Sequence, residues 1–150
     1  MSSPQHGMFT IERPFKAAPA KVFAAFSDPA RKRRWFIEGE GFVIDEHVLD
    51  FRVGGSERSR FRINGNAIVN DTWFADIVPA ERIAYAYSMS AGGKCFSASL
   101  ATFEFRKDGD GTLLVFTEQS AFFEGADGTE VRKRGWGSLL AALGRELGEG

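Results

Sequence analysis

The sequence predicts an α+β fold in which a seven-stranded antiparallel sheet wraps around one long C-terminal helix. Three observations predict it. Segments of alternating polarity fill most of the chain from residue 42 to residue 119, two short helical segments follow the first strand, and the last quarter carries a helix with one apolar face. A sheet that packs around a helix can leave a cavity between them, so the contents of that cavity are the first functional question.

The N-terminal part of the chain predicts one strand and two short helices. Apolar side chains recur at every second position in residues 8 to 16, the spacing of a strand with one buried face. Pro19 suits the first position of a helix, where its missing N–H is not needed. Asp28 is the expected N-cap of a second helix over residues 29 to 36.

Six further strands are expected, each with apolar residues at alternate positions and each bounded by a turn. Their expected ranges are residues 42–53, 56–63, 67–78, 83–89, 96–107 and 112–119. The turn signals are Asn64-Gly65, Gly92-Gly93 and Asp108-Gly-Asp-Gly111.

The final helix is predicted to begin near Asp127, with Glu130 three residues on as a capping-box partner. Three glycines inside it permit close packing on the sheet or leave free volume. Its apolar face consists of Trp136, Leu139, Leu140, Leu143 and Leu147.

Length and composition predict one domain over residues 1–150, with an ordered core from about residue 8 to residue 148. The chain has 19 basic and 20 acidic residues, which argues against a nucleic-acid-binding protein with a basic surplus. A single cysteine, Cys95, excludes an internal disulfide and fits a reducing cytosol. The sequence contains no signal peptide pattern and no apolar run of membrane-spanning length, so we expect a cytoplasmic protein without membrane contact.

No motif predicts a metal ion or another cofactor. The run 108–112 begins like a calcium loop, but it lacks glycine at the sixth position and has Gln119 where the twelfth should be acidic. His6, His47 and Cys95 have no metal-ligand spacing. Walker and dinucleotide-binding glycine patterns are absent from the sequence.

Two charged residues share their strand parity with apolar neighbours. Arg13 alternates with the apolar residues of the first strand, and Glu118 alternates with those of the last. Because a buried charge must be paired, an Arg13–Glu118 salt bridge across these strands would satisfy both. The alternative is a polar anchor for a ligand, or an acid–base group with a shifted pKa. Gln119 has the opposite parity, so either it or Glu118 could point inward.

Two basic segments are expected to lie at the surface. The run from Arg31 to Arg34 fits a solvated helix face, with binding of a phosphate or an acidic partner as the alternative. Arg58, Arg60 and Arg62 fit the outer face of the sheet, with Phe61 turned inward, and an anion-binding stripe is the alternative.

Large aromatic residues are numerous enough to line a pocket as well as to fill a core. Each of these residues is expected either to pack in the hydrophobic core or to line a ligand-binding pocket. Together with the two charged residues, the expected ligand-binding set is Arg13, Trp35, Phe36, Trp73, Tyr85, Tyr87, Phe96, Phe103, Glu118, Trp136 and Leu140.

Several segments, taken in order, resemble the START/Bet-v-like (SRPBCC) helix-grip superfamily, in the branch of homologues of the activator of the heat-shock protein 90 ATPase. The resemblance covers the chain from about Phe9 to Leu147. Its segments are Ile11-Glu-Arg-Pro-Phe-Lys-Ala-Ala-Pro19, Val22-Phe-Ala-Ala-Phe-Ser-Asp-Pro29, Trp35, Asp50-Phe-Arg-Val-Gly-Gly55, Asp76-Ile-Val-Pro-Ala-Glu-Arg-Ile83, Phe116-Thr-Glu-Gln119 and Gly135-Trp-Gly-Ser-Leu-Leu140.

The resemblance implies the helix-grip fold with a mostly apolar cavity, which in relatives binds lipids, polyketides, flavonoid-like aromatics or hormones. It carries over no catalytic residue and no cofactor. Three functions are therefore weighed: binding of a small apolar molecule, a cyclase- or hydrolase-type enzyme that uses Glu118, and an interaction protein for a chaperone partner that uses the basic helix face. Pairing of a sheet edge with a second copy would give a homodimer.

Overall fold

The computed structural model describes residues 3–39 and 41–149. Seven strands form one antiparallel sheet in the order β1-β7-β6-β5-β4-β3-β2, and three helices accompany it, which confirms the predicted fold class. The elements are β1 (Gln5–Phe15), α1 (Pro19–Ser27), α2 (Pro29–Phe36), β2 (Phe42–Leu49), β3 (Ser56–Ile63), β4 (Asn66–Val78), β5 (Arg82–Ala91), β6 (Lys94–Asp108), β7 (Gly111–Phe122) and α3 (Thr129–Glu146).

Hairpins join every neighbouring pair of strands from β2 to β7, and β1 completes the sheet beside β7. Asn64 and Gly65 have φ angles of 51° and 80°, the left-handed conformations that a two-residue hairpin turn needs. The sequence signal at this position therefore predicted the turn for the right physical reason.

The two short helices form where the sequence predicts them. The Asp28 side chain accepts hydrogen bonds from the backbone N–H groups of Ala30 and Arg31, so it caps α2 as expected. Pro19 stands at the first position of α1.

Strand β2 is shorter than predicted, because it ends at Leu49 instead of residue 53. The chain then turns tightly, with a backbone hydrogen bond of 2.8 Å from Gly55 N to the Arg52 carbonyl. A Cβ at Gly55 would collide with the Asp50 carbonyl oxygen, so only glycine fits this close approach of two backbone segments.

The apolar face of α3 is confirmed and the helix begins near the predicted position, but the predicted capping box of Asp127 and Glu130 is wrong. The helix begins at Thr129 after Gly128, and no side chain caps it. The Asp127 carboxylate instead accepts two hydrogen bonds of 2.8 Å from the Arg132 guanidinium. Of the helix glycines, Gly144 packs closely, because a Cβ there would lie 3.6 Å from the ring of Phe15.

An aromatic cluster fills the space between α3 and the centre of the sheet. The Phe103 and Phe116 rings stack with centroids 4.5 Å apart, and the Trp136 ring lies 4.4 Å from that of Phe116. Phe26 of α1 meets Phe103 from the other side at 5.0 Å. This part of the concave side of the sheet is therefore packed core.

Candidate functional site

Strand parity separates the two faces of the sheet. In β3, Glu57 and Ser59 are buried while Arg58 and Arg60 are exposed. Residues directly opposite each other in antiparallel strands share a face, so the inner, helix-facing surface can be followed from strand to strand. We call this surface the concave face.

The concave face is incompletely covered at its far end, on strands β2 to β5. Several large apolar side chains that face inward there are only partly buried, and we call five of them the apolar rim: Phe42, Ile44, Phe61, Ile68 and Met89. Phe61 lies opposite Ile44 on one side and Ile68 on the other, so the rim is continuous across three strands. The rings of Phe42 and Phe61 are 5.3 Å apart.

Next to the rim, nearer α3, the concave face carries a buried carboxylate network centred on Glu118. Its Oε1 accepts hydrogen bonds from the Tyr87 hydroxyl at 2.6 Å and from Trp136 Nε1 at 3.0 Å. Its Oε2 accepts one from the Ser120 hydroxyl at 3.0 Å and lies 3.5 Å from Arg132 Nη1. The Glu118 side chain is 0% exposed, so these four groups replace its water.

Arg132 joins this network to the first turn of α3. Its Nη1 donates to the Tyr87 hydroxyl at 2.9 Å, and its Nη2 donates to the Ser97 hydroxyl at 2.9 Å. Asp127 binds the remaining edge of the guanidinium. The network therefore ties α3 to three strands of the sheet, β5, β6 and β7, and it holds the Glu118 oxygens in fixed positions.

Burial governs the protonation of the network. Desolvation raises the pKa of Glu118 above its ordinary value, and the hydrogen bonds from Tyr87 and its other donors offset only part of this. Burial, followed by the nearby negative charge of Glu118, also raises the pKa of the Tyr87 hydroxyl. Tyr87 therefore stays a hydrogen-bond donor to the carboxylate at neutral pH.

A second buried polar group, the lysine cluster, consists of Lys32, Glu57 and His47. Glu57 accepts from Lys32 Nζ at 2.8 Å through Oε1, and its Oε2 lies 2.7 Å from His47 Nε2. All three side chains are at most 3% exposed. The Lys32 ammonium also lies 4.2 Å from the centroid of the Phe36 ring, a favourable cation–π position.

The lysine cluster keeps its acid ionised although it is buried. Desolvation would raise the pKa of Glu57, but the charge of Lys32 and the hydrogen bonds from His47 and Lys32 outweigh it, so the pKa falls below its ordinary value. Ser59, two residues along β3 and opposite His47, is 1% exposed. Within residues 3–39 and 41–149, its Oγ has no hydrogen-bond partner.

The predicted Arg13–Glu118 salt bridge is wrong. The backbone register places Arg13 opposite Leu114, four residues from Glu118, and Glu118 pairs with Arg132 instead. The Arg13 guanidinium lies over the Phe15 ring at 5.8 Å from its centroid. The parity argument placed Glu118 inside correctly and Gln119 is exposed, but the partner comes from α3, whose position strand parity does not give.

Two aromatic residues of the predicted set do not face the concave side. Trp73 is 54% exposed, because its neighbours Thr72 and Phe74 point inward. Phe96 precedes the inward-facing Ser97 and borders an open surface cleft of about 320 Å³. The other predicted members are buried on the concave side or beneath the helices: Trp35, Phe36, Tyr85, Tyr87, Phe103, Trp136 and Leu140.

The basic segments follow the prediction except at one residue. Lys32, expected on a solvated face, is buried, because it stands three residues before Trp35 and thus on the same side of α2. Arg33 and Arg34 pair with Glu38 and Glu146 at 2.8 and 2.7 Å.

The arginines of β3 are exposed on the outer face as predicted. Sequence reasoning missed Lys32, Glu57, His47 and Arg132 as members of buried clusters. Two of them could be predicted from the sequence. Lys32 lies three residues before Trp35 on the same helix face, and Glu57 has the same strand parity as Ser59.

The part of the chain that the structure describes contains no group of three or more His, Cys, Asp or Glu side chains that could hold a metal ion. None of its helices is long and apolar enough to cross a membrane.

The chain is similar to a protein family and to several solved structures. The family model of the Activator of Hsp90 ATPase homolog 1-like protein matches residues 16–148. Mll3558 from Rhizobium loti is 46% identical, with a TM-score of 0.89 and with 97% of this chain and 99% of that chain covered. A protein from Rhizobium leguminosarum is 39% identical, with a TM-score of 0.92 and coverages of 99% and 98%.

A third structure, CV1439 from Chromobacterium violaceum, is 25% identical, with a TM-score of 0.80 and coverages of 95% and 97%. The comparison with curated proteins gave no match. The family model spans most of the chain, and the sheet order and C-terminal helix fit the same architecture. The chain belongs to the family of Activator of Hsp90 ATPase homolog 1-like proteins, within the SRPBCC/Bet v1-like superfamily that its sequence segments resemble.

Proposed function

We propose that this protein binds a small, mainly apolar organic molecule on the concave face, between the apolar rim and α3. One observation carries the proposal. The apolar rim is a continuous set of half-buried side chains that face the inside of the sheet, next to a band of fixed polar groups. A concave apolar surface with a few placed polar groups is the usual composition of a small-molecule site.

The free energy of burying apolar surface supports a small apolar ligand at this position. Covering the partly exposed rim side chains with an apolar ligand would remove their surface from water, which is favourable by roughly 25 cal/mol per Å². The packed rings of Phe103, Phe116 and Trp136 form a rigid floor on the part of the concave face toward α3. A rigid floor limits the conformational entropy that binding would lose.

The geometry supports binding better than catalysis by Glu118. Both carboxylate oxygens already accept hydrogen bonds from Tyr87, Trp136 and Ser120, and Arg132 lies beside one of them. A substrate would have to displace one of these donors to exchange a proton with the carboxylate. Glu118 is therefore better suited to hold the floor of the site in place.

A chaperone partner, which the family description suggests, has less support from the charges. The basic helix face expected for an acidic partner has Lys32 buried, and Arg33 and Arg34 are already paired with Glu38 and Glu146. Small-molecule binding is therefore the function that we put to the test.

The test compares an aromatic residue of the rim with one on the outer face. We expect 2-ethylnaphthalene to bind the wild-type protein, as measured by chemical-shift titration of ¹⁵N-labelled protein. Phe61→Ala should weaken binding by about tenfold or more, because the probe loses an aromatic wall. Trp73→Ala is the matched control on the neighbouring strand, and its exposed ring should leave the dissociation constant within about twofold.

Equal dissociation constants for the wild type and Phe61→Ala, or equal losses in both variants, would remove the rim from the binding site. Failure of the probe to shift any resonance of the wild-type protein would overturn the proposed function. Thermal unfolding of both variants, followed in parallel, ensures that the binding is compared between folded proteins.

A further inference from the structure

Ser59 occupies a particular position on β3, between the lysine cluster and the apolar rim. Glu57 precedes it by two residues and Phe61 follows it by two, so all three side chains point to the concave face. Its backbone lies opposite His47 on β2. The Ser59 hydroxyl is therefore at the boundary between the charged groups and the apolar surface.

This hydroxyl is buried without a partner, which distinguishes it from the other polar groups of the concave face. Ser99 and Ser120 bond each other at 2.7 Å, and Ser97 accepts from Arg132. Ser59 is 1% exposed, and its Oγ has no hydrogen-bond partner in the described part of the chain. Buried polar groups in native proteins are nearly always satisfied, so an unpaired one next to a partly exposed apolar surface needs an explanation.

We infer that Ser59 is the specificity residue of the site, and that its hydroxyl donates a hydrogen bond to a ketone or ester carbonyl oxygen of the bound molecule. The inference rests on the proposed function. It narrows the ligand class to apolar molecules with an aromatic ring system and a neutral carbonyl group at the end facing β3.

The surrounding charges favour a neutral carbonyl over a carboxylate. Glu57 holds its negative charge two residues from Ser59, and Lys32 and His47 are already turned to that acid at 2.8 and 2.7 Å. An anionic ligand group would add a second buried negative charge beside Glu57, which is unfavourable. A carbonyl oxygen accepts the Ser59 proton without that repulsion.

Two probes that share the naphthalene ring and differ at the carbonyl group isolate this hydrogen bond. The probes are 2-acetylnaphthalene, which has the carbonyl oxygen, and 2-ethylnaphthalene, which has a methylene group instead. We expect Ser59→Ala to weaken binding of the ketone by about fivefold and to change binding of the ethyl compound by less than about twofold. Ser88→Ala, on the outer face of β5, is the control and should affect neither probe.

A stability measurement separates this role from a structural one. Removing an unsatisfied buried hydroxyl relieves its desolvation, so Ser59→Ala should keep or raise the Tm of the ligand-free protein, by about 2–4 °C at most. A serine that holds the fold together would lower the Tm when replaced. Because its carboxylate would lie beside the negative charge of Glu57, 2-naphthoate should bind more weakly than 2-acetylnaphthalene.

Equal effects of Ser59→Ala on both naphthalene probes, or none on either, would overturn the inference while leaving the proposed function intact, since both probes would still bind the wild type. A lower Tm together with an unselective loss of binding would assign Ser59 to the fold. Absence of binding by either probe to the wild-type protein would overturn the proposed function and this inference together.

Discussion

Glu118 and Glu57 are both buried carboxyl groups on the concave face, yet their pKa values move in opposite directions. Desolvation acts on both. Glu57 has the full ammonium charge of Lys32 at 2.8 Å, whereas Glu118 has mainly neutral donors and a guanidinium at 3.5 Å. The distance of the positive charge therefore decides which acid is stabilised in its ionised form.

These shifts predict opposite pH dependences for two glutamine variants. Below pH 4.5, the ordinary pKa, Glu118 contributes its full stabilisation, which is lost as the pH rises through its raised folded value. The stability advantage of the wild type over Glu118→Gln should therefore shrink as the pH rises above 4.5. Glu57 has a lowered pKa, so its contribution is present above pH 4.5 and is lost as the pH falls below it.

Urea unfolding of the wild type, Glu118→Gln and Glu57→Gln, from about pH 3 to pH 7, measures both differences. We expect the stability difference between the wild type and Glu118→Gln to decrease as the pH rises, and the difference between the wild type and Glu57→Gln to increase, in adjacent pH windows. If both stability differences change with pH in the same direction, one carboxyl group is not in the electrostatic surroundings described for it.

At the level of the element, the bounds of a strand or helix are predictable where a local sequence signal sets them. They are not predictable where tertiary contacts set them. Strand β3 and helix α2 have the predicted bounds, because a hairpin signal and an N-cap fix their ends. Strand β2 ends early, since a backbone contact at Gly55 turns the chain. The capping of α3 differs from the prediction because Asp127 binds the side chain of Arg132 rather than the helix backbone.

The candidate site follows the same division. Strand parity predicted that Glu118 points inward, and helix periodicity predicted the face that carries Trp136. Neither could supply the contact between Glu118 and Arg132, which depends on where the first turn of α3 lies over the sheet. The prediction for Trp73 is wrong because Trp73 has the opposite strand parity to the inward-facing Phe74, a signal that aromatic character does not carry.

Two glycines of the α3 region predict opposite effects of the same substitution. Gly128, just before α3, has a φ angle of 89°, which L side chains rarely adopt, so Gly128→Ala should destabilise the fold by about 1 kcal/mol or more. Gly135 lies within α3, so Gly135→Ala should stabilise it by about 1 kcal/mol. A Cβ would meet open space at either position, so backbone conformation alone sets the sign.

Thermal or urea unfolding of the two alanine variants gives the sign directly. A stabilising effect of Gly128→Ala would contradict the assigned start of α3. A destabilising effect of Gly135→Ala would contradict the open surroundings of that helix position.

On the scale of the whole molecule, the two faces of the sheet carry different kinds of interaction. The outer face has exposed ion pairs, such as Arg62 with Asp45 at 3.0 Å, and such pairs contribute little to stability because water and salt screen them. The concave face holds the aromatic core, the two buried polar groups and the apolar rim. The fold therefore concentrates both its stability and its candidate binding surface on one side.

The most direct test of the account is an isotope-filtered NOE experiment on ¹³C-labelled protein with 2-acetylnaphthalene. Contacts from the naphthalene protons to the side chains of Ile44, Ile68 and Met89, all members of the apolar rim, are the predicted result. Contacts confined to Val43 and Val48, which are 50% and 57% exposed, or no contacts at saturating probe, would contradict it.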